Sequence, residues 1–148
     1  WADGTSLKIK DISAGEYYVM IRHRNHLPVM TDRAVSFISK EPVTLDFTNG
    51  STPMYRSNGQ KIINGVYVMW AWDVNNDDKI VYSGPQSDAD AILNFVGAST
   101  PNAQVAGYYR EDVNMDGNCK YNGSSNDRNS ILGNVWLSTP TNVINVQF

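Results

Sequence analysis

The sequence predicts an α+β fold: an N-terminal antiparallel β-region (a small sheet or sandwich), then a duplicated module of polar loops and short helices. Three observations carry this prediction. Short alternating runs bounded by Gly, Pro and Ser fill the first third of the chain. A stretch rich in Asn, Gly, Ser, Thr and Pro follows over 48–65. The last half contains an internal repeat offset by 39 residues.

In the β-region, Ser6 to Ile12 alternates Leu7, Ile9 and Ile12 with Lys8, Lys10 and Asp11. Ser13-Ala14-Gly15 is a turn signal, and Glu16 to Arg22 resumes the apolar pattern, so these two runs are expected to pair as a hairpin. Pro28 argues against a central strand at its position. Ala34–Ile38 and Val43–Phe47 are expected as two further strands on either side of Lys40-Glu41-Pro42. The expected organisation is a β-region over 1–50, a linker over 51–65 and the duplicated module over 66–148. Val66–Trp72 reads equally as a strand or a buried helical turn.

Composition narrows the function classes. At 148 residues and 16.5 kDa the chain is about one domain and can bury a core without disulfides. A net charge of −3 argues against a nucleic-acid binder led by phosphate contacts. No apolar run approaches the ~20 residues of a membrane span. Cys119 is the sole cysteine, so neither an internal disulfide nor a cysteine zinc cluster is expected. A chain starting at Trp1, with neither Met nor leader, is expected of a processed product or a piece of something longer.

In the repeat, Ala71–Gly97 aligns without a gap on Arg110–Trp136, with ten of 27 positions identical. The match resumes as Ser99-Thr100-Pro101 against Ser138-Thr139-Pro140. The units, 71–105 and 110–144, are expected to pack about a pseudo-twofold axis.

Each unit opens with Asp-x-Asn-x-Asp: Asp73, Asn75 and Asp77 in the first, Asp112, Asn114 and Asp116 in the second. Alternate side-chain oxygens on a curling loop can converge on one point, which suits the six to eight oxygen ligands of calcium. Position 7, Lys79 or Asn118, would offer a backbone carbonyl. Position 6 needs a sharp turn, supplied by Gly117 and by Asp78, which tolerates the left-handed region. Position 8, Ile80 or Cys119, is expected to face inward and meet its counterpart as it does in paired EF-type loops, with Cys119 acting as a small hydrophobe. Position 12 holds Gly84 or Gly123 in place of the usual Glu. The next shared acid is Asp88 or Asp127, which can ligate, cap the helix or both; Asp90 and its counterpart Asn129 are second candidates. One such motif reads equally as an ordinary turn; two in register, each with a downstream Asp, argue for two calcium sites. Residues 73–90 hold five Asp against one Lys, a net −4, whereas 112–129 hold three Asp against Lys120 and Arg128, a net −1. The first site is therefore expected to bind more tightly.

Other polar and aromatic groups read as structural. The Arg22-His23-Arg24-Asn25-His26 cluster is expected to close a β-bend through side-chain hydrogen bonds; its two histidines lack a carboxylate beside them. Trp70, Trp72, Tyr108 and Tyr109 could form a sugar-stacking platform, but core packing between the repeats is the favoured reading. No nucleophile or acid–base pair stands apart from the expected calcium ligands, so an enzyme is not expected.

The two acidic segments and the upstream Gly15-Glu-Tyr-Tyr-Val-Met-Ile-Arg-His-Arg-Asn-His-Leu-Pro-Val-Met30 together resemble dockerin-like calcium repeats in C-terminal regions of secreted or cell-surface proteins of Bacteroidota. The resemblance spans about 15–144. It implies export by the type IX route, a secreted or cell-surface location and calcium at the loops. It supplies no partner: true dockerins bind cohesins, whereas these loops are longer and lack the position-12 carboxylate. The expected function is a non-catalytic calcium-binding module for attachment or assembly, through an unidentified protein partner or self-association. A subunit of a surface fibre or adhesin, and an accessory carbohydrate-binding domain, are the alternatives.

Overall fold

A computed structural model describes residues 9–56, 58–135 and 143–145. Leu7, Lys8 and Ser138-Thr139-Pro140 lie outside them. The fold is α+β, ordered β1 (Gly15–Tyr17), β2 (Met20–His23), β3 (His26–Met30), β4 (Val35–Phe37), β5 (Gln60–Ile63), β6 (Val66–Met69), β7 (Lys79–Val81), α1 (Asp88–Val96), β8 (Gln104–Ala106), β9 (Asn118–Lys120), α2 (Asp127–Val135) and β10 (Val143–Asn145). The described strands pair antiparallel in five two-stranded sheets.

The β-region departs from its expected pairing. Residues 9–12 form no strand, and the run from Glu16 to Arg22 breaks into β1 and β2. β1 pairs with β4, while β2 pairs with β3 across the two-residue turn Arg24-Asn25. Pro28 does sit in a strand, at a register shift where Leu27 and Pro28 together oppose Arg22, so its missing N–H leaves no gap in the ladder. Val43–Phe47 is not a strand. Asp46 takes this segment into a turn instead: Oδ1 accepts from the Thr48 N–H at 2.8 Å and Oδ2 from Asn49 Nδ2 at 2.8 Å.

The expected linker 51–65 contains β5, and Val66–Trp72 begins as β6. The signal is Asn64-Gly65 between two β-branched runs. Both residues have positive φ, 51° and 81°, which matches the right-handed twist of the flanking strands in a two-residue hairpin.

The duplication shapes the rest. β7, α1 and β8 recur 39 residues later as β9, α2 and β10. The pairing is crossed: β8 of the first unit joins β9 of the second, and β10 of the second joins β7 of the first. Helices α1 and α2 pack on each other, α1 also against β9 and α2 against β7. This is reciprocal, as a pseudo-twofold requires. Ile80 and Cys119 are both fully buried, and their strand partners are Ile144 and Val105. The core comprises Val74, Ile80, Ala89, Ile92, Val113, Ile131 and Val135, joined by Leu27 from β3, with Trp70 and Trp72 packed against it.

The β2–β3 hairpin tip is seated between the two units. Asn25 is fully buried. Its carbonyl accepts from the Trp72 N–H at 2.5 Å, and its amide donates to the carbonyls of Arg110 and Asp112 at 3.1 and 3.2 Å. Trp72, held at φ 90°, is pinned further by donation from its indole N–H to the Val113 carbonyl at 3.2 Å. His23 and His26 are cross-strand partners, because the chain reverses between them, with Nδ1 atoms 2.8 Å apart. The Asn25 amide protons are spent, so Oδ1, 3.0 Å from His26 Nδ1, must accept. The His26 Nδ1 therefore carries the proton and His23 Nδ1 accepts. The expectation of side chains closing a β-bend describes this pair.

Replacing Asn25 with Ala strands two backbone carbonyls and removes the His26 ring's partner at the tip, and should cost about 2–3 kcal/mol in urea unfolding. Burial, then the charges of His23 and Arg24, lower the His26 pKa to about 4. The unfolded chain takes up that proton near 6.5. The stability that a neutral His26 contributes should thus be complete above pH 6.5 and be lost as pH drops towards 4. The difference between the unfolding midpoints of wild type and His26→Gln should therefore shift against the wild type as pH falls across this range.

Candidate metal-binding loops

The two Asp/Asn-rich loops adopt one backbone shape. Left-handed φ values recur at 39-residue spacing in Asn76 and Met115, Asp78 and Gly117, Gly84 and Gly123, and Gln86 and Ser125. Met115 is an ill-suited residue for such a φ, so the loop, not the local residue, dictates its conformation.

Side-chain oxygens hold the curl by accepting nearby N–H groups. Asn75 Oδ1 accepts from the Asp77 N–H at 3.1 Å and Asp77 Oδ1 from the Lys79 N–H at 3.1 Å. The second loop repeats this with Asn114 and the Asp116 N–H at 2.9 Å, and Asp116 and the Asn118 N–H at 2.9 Å. The position-1 carboxylate lies beneath: Asp73 Oδ2 accepts from the Asp78 N–H at 3.2 Å, and Asp112 Oδ2 from the Gly117 N–H at 3.1 Å. Asn75 and Asn114 also donate to the carbonyls of Gln86 and Ser125, both at 2.8 Å, which folds the four-residue excursion back onto the loop.

Asp88 and Asp127 are fully buried and staple loop to helix. Asp88 Oδ1 accepts from the Val74 and Asn75 N–H groups at 2.6 and 3.4 Å, and Oδ2 from the Val81 N–H at 2.7 Å. Asp127 repeats all three with Val113, Asn114 and Lys120 at 2.7, 3.1 and 2.7 Å. Neither is the N-cap. Ser87 Oγ and Asn126 Oδ1 fill that role, accepting from the Asp90 and Asn129 N–H groups at 3.2 and 2.8 Å. Asp88 and Asp127 occupy the first helical turn, where the dipole favours a carboxylate.

The charge balance differs between the loops. Burial pushes the Asp73 carboxyl up to about 6, with repulsion from Asp77 adding to it, and that of Asp88 to about 7, with repulsion from Asp73 adding to it. Burial also raises Asp127. Among the described residues no ion pair reaches a carboxylate of the first loop. In the second, Arg24 lies 3.5 Å from Asp112 and Lys120 lies 3.9 Å from Asp116.

Among the described residues, no three His, Cys, Asp or Glu side chains gather into a metal-holding group. A cation here would therefore draw on Asn oxygens and backbone carbonyls as well, which are ordinary calcium ligands. Asp112 Oδ1 and Asp78 Oδ1 are buried acceptors without a hydrogen-bond partner. Asn75, Asp77 and Asp90 line one cavity of about 420 Å³ at the mouth of the first loop. This cavity brings Asp90 towards the loop, a position that the spacing alone left beside Asp88. Cys119 is buried, and burial raises its thiol pKa to about 12. Trp70 donates to the Asn58 carbonyl and packs on the core, as Trp72 does, while Tyr108 is exposed under the Arg24 guanidinium.

Sequence reasoning missed Arg24 and Asn25 as partners of the second loop. The signal was their place in the hairpin turn, but nothing local names a target 85 residues away.

Asp88→Ala and Asp127→Ala, measured in EDTA, should each cost about 2–3 kcal/mol, because each frees three N–H groups. Values agreeing within about 1 kcal/mol would bear out the equivalence of the two staples.

The chain matches no family model, no curated protein and no solved structure.

Proposed function

We propose that this chain is a non-catalytic, dockerin-like module of a secreted or cell-surface protein, in which calcium at two loops supports attachment or assembly. The observation that carries the reading is the set of buried carboxylates in matched loops, with Asp112 Oδ1 left unpartnered. Side-chain oxygens of Asp73, Asn75 and Asp77, the Lys79 carbonyl and Asp88 or Asp90 would hold the first ion. Asp112, Asn114, Asp116, the Asn118 carbonyl and Asp127 would hold the second. When bound, calcium supplies the positive charge that offsets repulsion among these groups. The loops carry the rest of the burden themselves, through side-chain bonds to backbone N–H groups that shape the cradle in advance. Binding free energy then appears as stability, by mass action on the folded state.

The partner would be a surface protein or another copy of the chain. The glycan reading has less support, because Trp70 and Trp72 pack on the core.

Thermal unfolding in EDTA, then with calcium restored, tests the reading. A calcium-dependent rise in Tm of about 5 °C or more is expected, since a site filled to 100 times its Kd adds about 2.7 kcal/mol. An unchanged Tm would overturn it.

A further inference from the structure

The duplication would make the two loops equal, yet a residue from outside the repeat breaks the symmetry. Arg24, at the β2–β3 tip, reaches the second loop alone. Its Nη1 donates to the Tyr109 carbonyl at 2.6 Å. Its Nη2 lies 3.4 Å from the Asp112 carbonyl and 3.5 Å from Asp112 Oδ2. The guanidinium stacks 3.7 Å over the Tyr108 ring. Arg24 and Asp112 side chains are only 15% and 3% exposed, so solvent screens this charge weakly. Both retain an unpartnered buried atom, Nε and Oδ1 respectively. Both line a cavity of about 200 Å³ with His23, Gly107, Met115 and Gly117.

We propose that Arg24 is a built-in competitor cation for the second loop, so that calcium fills this loop at higher concentration than the first. This rests on the calcium reading above. A guanidinium does not deprotonate in a protein, so its charge is present at every working pH. It already compensates Asp112, and an incoming dication must share that carboxylate with it. The first loop faces no such charge among the described residues. Arg24 thus adds to the difference set by the loops' own residues. The stacking and carbonyl contacts hold the guanidinium in place, which separates its effect from that of a mobile surface cation.

Calorimetric titration of the full chain with calcium chloride tests this in wild type, Asp112→Asn, Arg24→Gln and Arg24→Lys. Wild type should show two steps, and Asp112→Asn should delete the weaker. Arg24→Gln should tighten the weaker step about tenfold and leave the stronger one in place, since one unit charge a few ångströms away is removed. Arg24→Lys, which keeps the charge, should leave the weaker step within about threefold of wild type. An unchanged or weakened step in Arg24→Gln would overturn the assignment. Weakening in both variants would make Arg24 a brace for the Tyr109 and Asp112 carbonyls instead. If Arg24→Gln does not fold, Asp112→Asn still decides: deletion of the tighter step overturns the proposal. No calcium heat in wild type would remove the calcium reading itself, and this proposal with it.

Discussion

The buried carboxylates of Asp88 and Asp127 are the constraint on which both units depend. Each accepts three N–H groups, two from the start of its loop and one from the short strand behind it. A long polar loop cannot bury its own backbone donors without such an acceptor. A helix N-terminus is also the place where a carboxylate is favoured by the dipole. One residue thereby joins loop, strand and helix, and the apolar faces of α1 and α2 can then meet over Val74, Val113, Ile92 and Ile131. Burying this charge is costly, which shows in the raised pKa values of Asp73, Asp88 and Asp127.

Crossed strand pairing makes the units interdependent. Among the described residues, β7 and β9 each pair with a strand of the other unit. The module is thus one cooperative body rather than two beads. The hairpin tip extends this body to the β-region. Asn25 bonds both the residue before the first loop and the residues that open the second, so disturbing one loop's opening will be felt at the hairpin.

Local chemistry made part of this legible. Asp46 turns its own segment, Ser87 and Asn126 cap their own helices, and the loop Asp and Asn residues bond backbone groups two to five positions away. Such short-range bonds leave a pattern in sequence, and the 39-residue offset of the helices and strands follows it. The hairpin at Asn64-Gly65 was legible by the same logic, but the polar stretch that precedes it masked it as a linker. Side-chain periodicity could not assign the partners of β1 and β2, because runs of three or four residues pair equally well with several others.

By itself the amino-acid order determined the α+β class, the repeat, the left-handed turns at Asp78 and Gly117 and the residues that line the loops. These depend on interactions within one turn or one period. Only the tertiary structure decided that β8 and β10 change units, that His23 faces His26, that Asp90 shares a cavity with Asn75 and Asp77, and that Arg24 stands beside Asp112. Each of these is a contact across a chain reversal or across 85 or more residues for Arg24 and Asn25. Burial and chain geometry select such partners, and neither is written in the spacing of residue types.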